Sequence, residues 1–130
     1  MKVAVVVARV LVGLVFVVFG SDKIVPFIPA QMPPGDAGTL MGVMFSHHWI
    51  LFYGFVETAG GLMLLSGRFV PLGLTLLAGM LTNILLFDVT LAPSGLPIAL
   101  VIGLLEVFLV WAYRDSFAGI FSAKAKAPLA

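Results

Sequence analysis

The chain alternates long apolar runs with short polar breaks. Val3–Gly20, Trp49–Leu65, Phe69–Phe87 and Leu96–Tyr113 are each dominated by Val, Leu, Ile, Phe and Met. Crossing a bilayer takes roughly 20 mainly apolar residues, within about 17–25. With a few flanking residues each run reaches that length. The pattern predicts one membrane domain over 1–130, with spans near 3–24, 48–66, 69–90 and 96–114 and a tail over 115–130. The first run is read as a retained helix, because Arg9 interrupts what would be the uncharged stretch of a signal peptide.

Within the runs, small and polar residues recur at helical spacing. In the first span Arg9, Gly13, Gly20 and Lys23 fall in an arc of roughly 80° at about 100° per residue. Gly54, Glu57 and Gly61 share a face of the second. Thr75, Gly79 and Asn83 step by four in the third, with Thr82 beside them. Ala99, Gly103, Glu106 and Tyr113 align in the fourth. Lipid supplies no hydrophobic force between helices, so close packing and polar contacts must hold them together. These stripes are therefore expected to face inward. The fold class that follows is all-α, an integral membrane four-helix bundle.

The breaks differ in kind. "SGRFVP" and "APSGLP" are tight turns, with Pro71 and Pro97 in the first turns of the spans they open and Ser94 as the expected N-cap. The first outer loop, Ser21–His48, is long and carries Pro26, Pro29, Pro33 and Pro34. Leu40, Met41, Met44 and Phe45 would share one helical face there. This predicts a short amphipathic helix at the outer interface. Phe117, Ile120 and Phe121 are expected to hold the tail against the cytoplasmic surface.

Composition agrees with the pattern. Of 130 residues 62% are hydrophobic and 10% charged, against about 25% charged in ordinary soluble domains. The net charge is +1 and there is no basic tract, which argues against a nucleic-acid partner. There is no cysteine, so the chain performs no thiol chemistry of its own. The cations set an orientation. Lys2, Arg68, Arg114, Lys124 and Lys126 fall on one side of four spans and Lys23 on the other. That distribution predicts N-in, C-in.

Four charges lie at membrane depth or its edge. Counting about 1.5 Å per residue, Glu57 lies roughly 12 Å below the outer side, Glu106 near the midplane and Arg9 roughly 9 Å from the cytoplasmic side. Two pairs are open to them: Lys23 with Glu57, and Arg9 with Glu106 as a structural ion pair. Asn83 lies a turn or two below Lys23, while His47, His48 and Asp88 surround the same outer mouth. Intramembrane ionisable groups cost ~2.5–3.5 kcal/mol on insertion scales and mark functional sites by default. Lys23, Glu57, Asn83, His47, His48 and Asp88 are thus the expected ligand-binding or polar cluster. His47 and His48 are adjacent rather than four apart, and a third ligand is missing, so no metal site is read there. No nucleophile–base arrangement, P-loop or dinucleotide fingerprint appears, so no catalytic residue is assigned.

The stretches "ARVLVGLVFVVFGSDKIVPF", "FVETAGGLMLLSGRFVPLGLTLLAGMLTNILLF", "LAPSGLPIAL" and "WAYRDSF" resemble the DoxX family of small bacterial four-helix membrane proteins. The family-like marks fall on Gly20, Lys23, Glu57, Gly60, Gly61, Gly67, Arg68 and Asn83, while "SHHW" departs from the family pattern. The family takes its name from a subunit associated with a thiosulfate:quinone oxidoreductase, and other members are linked to oxidative-stress complexes. The resemblance implies a multi-pass protein of the bacterial cytoplasmic (inner) membrane. Two functions follow from it. One is a non-catalytic subunit or scaffold of a redox-associated complex. The other is a binder of a quinone or another small amphipathic ligand in the outer half of the bundle. An ion or proton path would use the same residues but lacks the broken helices of transporters. The implied partners are membrane lipids, redox-enzyme subunits or further copies of the chain. A filled bundle favours the scaffold; an open pocket lined by Lys23, Glu57 and Asn83 favours the binder.

Overall fold

The computed structural model describes residues 1–29 and 31–128; Ala30 of the first loop and the last two residues of the predicted tail lie outside them. Among the described residues five α-helices follow one another: α1 (Lys2–Ile24), α2 (Gly35–Ser46), α3 (Trp49–Ser66), α4 (Val70–Thr90) and α5 (Leu96–Ala112). Single 3₁₀ turns, Pro93–Gly95 and Arg114–Phe117, flank α5, and no strand occurs among the described residues. Four helical segments among the described residues are long and apolar enough to cross a membrane: Lys2–Ile24, Trp49–Ser66, Val70–Thr90 and Pro93–Ala112.

These four close into a ring, α1 on α3, α3 on α4, α4 on α5 and α5 on α1, while α2 leans on α3. The glycines show how α1 and α3 meet. A Cβ on Gly13 would stand 3.0 Å from the Gly61 carbonyl oxygen, and one on Gly54 would stand 2.8 Å from that of Gly20. The two backbones touch, and residue numbers run in opposite directions along the seam. Small residues at such a crossing bring backbone against backbone, which is how helices associate where lipid removes the hydrophobic term. The core that the ring encloses is aliphatic, with Val12, Leu64, Leu74, Leu77 and Leu109 fully buried.

The bundle has two unlike ends. At the turn end, the start of α1, the α3–α4 turn and the end of α5 come together. Gly67 ends α3 at φ 71°, the left-handed cap that glycine adopts freely. Phe117 is buried beneath this end, but Ile120 and Phe121 are 66% and 76% exposed, so only the first of the three tail anchors packs. At the loop end lie the first loop, α2 and the α4–α5 connection. There Gly95 rather than Ser94 precedes α5, with no side-chain cap. Pro93 has already wound the preceding residues into a 3₁₀ turn, which removes Ser94 from the capping position.

One helix is rotated relative to the sequence reading. α4 buries Val70, Gly73, Leu74, Leu77, Leu81 and Asp88. Thr75, Gly79, Thr82 and Asn83 are exposed on its outward face. The hydroxyls of Thr75 and Thr82 explain how this is tolerated. Each donates 2.8 Å back to the carbonyl four residues earlier, Pro71 and Ala78. A threonine satisfied by its own helix does not need the bundle interior.

Candidate functional site

The last turn of α1 carries two charges with separate tasks. Asp22 Oδ1 accepts the backbone N–H groups of Phe27 and Ile28 at 2.8 and 2.7 Å, tying the first loop back onto the helix end. Lys23, next along, turns toward α3 and donates 2.8 Å to Glu57 Oε2. The lysine side chain is 27% exposed and the glutamate 3%. Glycines on the opposite helices make room for both stems. A Cβ on Gly54 would stand 3.0 Å from Lys23 Cβ, and one on Gly20 would stand 3.0 Å from Glu57 Cβ. The glycine seam that joins α1 to α3 therefore also clears the space in which the ion pair forms.

The pair lines a cavity of about 310 Å³ bounded by α1, α3, α4 and α5. Asp88 of α4 lines it too and is 8% exposed. Its carboxylate lies over Gly95, where a Cβ would stand 3.0 Å from Oδ1. This sets a carboxylate beside the first turn of α5, the end of a helix that favours negative charge. Below these polar groups the walls are apolar, with Phe16 and Phe19 from α1, Leu81 from α4 and Ile102 from α5. The slot thus has a charged head and a greasy body.

A family model for DoxX matches residues 4–90, more than half of the chain. The chain belongs to the DoxX family. No curated protein and no solved structure matches it. The family match spans α1 to the last residue of α4 and so contains Lys23, Glu57 and Asp88; α5 with Glu106 lies beyond it.

In this DoxX member the six residues expected to form one polar cluster separate into two places and a joint. Lys23, Glu57 and Asp88 share the slot. Asn83 and His47 instead line a groove of about 590 Å³ between α2, α3 and α4, together with Tyr53, Trp49, Leu40 and Met44. Asn83 misses the slot because α4 turns its Leu81 side inward. His48 lines neither cavity; it joins α2 to α3 in a left-handed conformation, φ 64°. The α2 face toward the groove is Leu40, Val43 and Met44; of the four residues expected to share it, Met41 and Phe45 are not part of it. Trp49 and Tyr53 lie outside the polar cluster expected from the sequence; aromatic residues opening a span are the signal that marks them.

The pairing of Arg9 with Glu106 does not form. Glu106 is 5% exposed and neither carboxylate oxygen has a hydrogen-bond partner among the described residues, nor does the buried Nε of Arg9. The Arg9 guanidinium lies against Gly67, so close that a Cβ there would collide with it. Gly67 closes α3, so Arg9 leaves α1 toward α3 and away from α5. Among the described residues, no group of three His, Asp or Glu side chains is placed to hold a metal ion.

Proposed function

We propose that this DoxX-family protein binds a small amphipathic molecule within the membrane. The observation that carries the reading is the Lys23–Glu57 ion pair standing in the wall of an apolar slot rather than in packed interior. Buried charges are costly and are normally surrounded by further partners; here part of their surroundings is space that a ligand's polar head fits. Lys23 offers N–H donors, while Glu57 and Asp88 offer acceptors. Phe16, Phe19 and Ile102 would flank a flat or branched body. A quinone suits this set: its carbonyls accept from Lys23, and its reduced hydroxyls donate to a carboxylate. Lys2, Arg68 and Arg114 lie at the turn end, which favours that end as cytoplasmic. The slot then opens on the outer side of a bacterial inner membrane, beside α2 as an interfacial helix.

The test is native mass spectrometry of the protein in mild detergent with a decyl-chain benzoquinone. Wild type should carry the adduct. Ala99→Phe fills the slot without touching a charge, and should lose the adduct while the protein remains folded. Equal retention by Ala99→Phe and Glu57→Gln would refute the slot as the binding place.

The outward face of α4 favours a second reading, that of a subunit in a larger assembly. The other spans turn mainly large apolar side chains outward, such as Leu11 and Leu14, Phe52 and Phe55, and Leu104 and Val107. α4 exposes Leu72, Leu86 and Val89 as well, but among them it presents Thr75, Gly79, Thr82 and Asn83. A small-residue surface with a carboxamide suits another membrane helix, from a redox-enzyme subunit or from a second copy. The stoichiometry seen in the same native spectra distinguishes these, and a monomer with no other chain attached counts against the reading.

A further inference from the structure

Glu106 has no role in the slot, yet it is 95% removed from solvent with both oxygens unpartnered among the described residues. Ile102 and Leu109, one turn to either side of it, are buried apolar residues. An isolated carboxylate in such surroundings is strongly disfavoured, and a carboxyl group there avoids the penalty by holding a proton. The surrounding charges are few. From α4, packed on α5, comes Asp88, which lies over Gly95. Gly95 is eleven residues before Glu106, or about 16 Å along the axis. Across the ring, Glu57 is engaged by Lys23. At the turn end Arg114 is tied to Trp111, donating 2.9 Å to its carbonyl and stacking 4.8 Å over its ring. Asp115 is exposed and Tyr113 half-buried.

From α1, the other helix packed on α5, comes Arg9. It stands seven residues in from Lys2 and Glu106 six residues short of Ala112, so both lie about 9–10 Å from the turn end. Packed helix axes stand about 8–10 Å apart, a gap that an extended arginine stem spans. Arg9 rests instead on Gly67, with its Nε buried and unpartnered.

We propose that Glu106 is a proton-binding site in the turn half of the bundle, with Arg9 as its movable counter-ion. While Arg9 rests on Gly67, Glu106 is a neutral acid. When the carboxyl O–H bond breaks, the proton leaves to water at the turn end and the carboxylate accepts N–H groups from Arg9, which swings across. Arginine stays cationic throughout and no electrons are transferred. Because the resting place of Arg9 is the α3–α4 turn, proton loss at Glu106 is felt at Gly67. This inference is independent of what occupies the slot.

Dicyclohexylcarbodiimide, which attacks protonated carboxyl groups in apolar sites, tests it on the full chain in lipid nanodiscs, read by peptide mass spectrometry across pH. Glu106 should be labelled, and labelled at least tenfold more than the ion-paired Glu57. Its labelling should fade as pH rises. Arg9→Gln removes the counter-ion and should carry labelling at least one pH unit higher. Gly67→Ala dislodges the guanidinium from its resting place and should move the fade in the opposite direction, so the proposal survives if one of the two variants does not fold. Glu106→Gln, the neutral isostere, should fold like wild type. Failure of Glu106 to label at any pH, a fade that neither variant moves, or unfolding of Glu106→Gln would each overturn the proposal.

Discussion

At the loop end Glu57 meets a cation 2.8 Å away; at the turn end Glu106 meets none, although the two residues are 2% and 5% exposed. Burial is the same, and each has a basic residue of α1 at a compatible depth. What differs is where glycine has cleared a path. Gly54 leaves room for the stem of Lys23 beside α3, and Gly20 leaves room for Glu57. At the turn end the cleared space is at Gly67, so Arg9 goes there and not to α5. In this bundle the missing side chains decide which charges meet.

The strongest attack on that explanation is Gly54→Leu. Its side chain would enter space held by the Gly20 carbonyl and the Lys23 stem, separating the α1–α3 seam and the ion pair together. Overpacking costs about 1–3 kcal/mol, and breaking a buried pair adds to it. The largest loss of thermal stability in detergent is expected here, including loss of folded protein. A melting point equal to wild type would break the comparison.

Lys23→Met comes next. It strands Glu57, and removing one partner of a buried pair costs about 3–5 kcal/mol. The lysine is 27% exposed, so the lower end of that range is expected. Lys23→Met with Glu57→Leu should recover much of the loss, and a thermal-shift cycle measures the coupling. The same cycle on Arg9→Leu and Glu106→Leu, at mildly acidic pH where Glu106 holds its proton, should be additive within ≈ 0.3–0.5 kcal/mol. Strong coupling there would erase the contrast between the two ends. The smallest effect is Asn83→Leu. On an outward face away from the slot it should change stability by no more than about 0.5 kcal/mol and leave quinone retention in native spectra unaltered.

The elements legible in the sequence are those governed by sums over many residues. Four apolar runs of bilayer length identify the four candidate spans because hydropathy accumulates over each run. Gly13, Gly20, Gly54 and Gly61 mark the α1–α3 contact because glycine beside an ionisable residue has few other uses in a span. The depth count brought Lys23 to Glu57. It failed where rotation about a helix axis mattered. Thr75, Gly79 and Asn83 read as an inner stripe, but threonine hydroxyls that close on their own helix remove the reason to face inward. Arg9 and Glu106 do share a level. The direction in which a long side chain leaves its helix depends on space in a third element, here the α3–α4 turn, and periodicity within one helix carries no information about that.

The seam between α1 and α3 also has a mechanical consequence. Where the backbones touch, little side-chain layer is left between them to deform, so these two helices behave as one stiff plate. α5 is held differently: a Cβ on Gly103 would find Leu85 at 3.9 Å, an ordinary side-chain contact. Compliance in the ring is therefore concentrated at α5, the wall of the slot that faces the plate. Amide hydrogen exchange should register this as slower exchange along Gly13–Gly20 and Gly54–Gly61 than along Ala99–Gly103, with the slot widening and narrowing by displacement of a single helix.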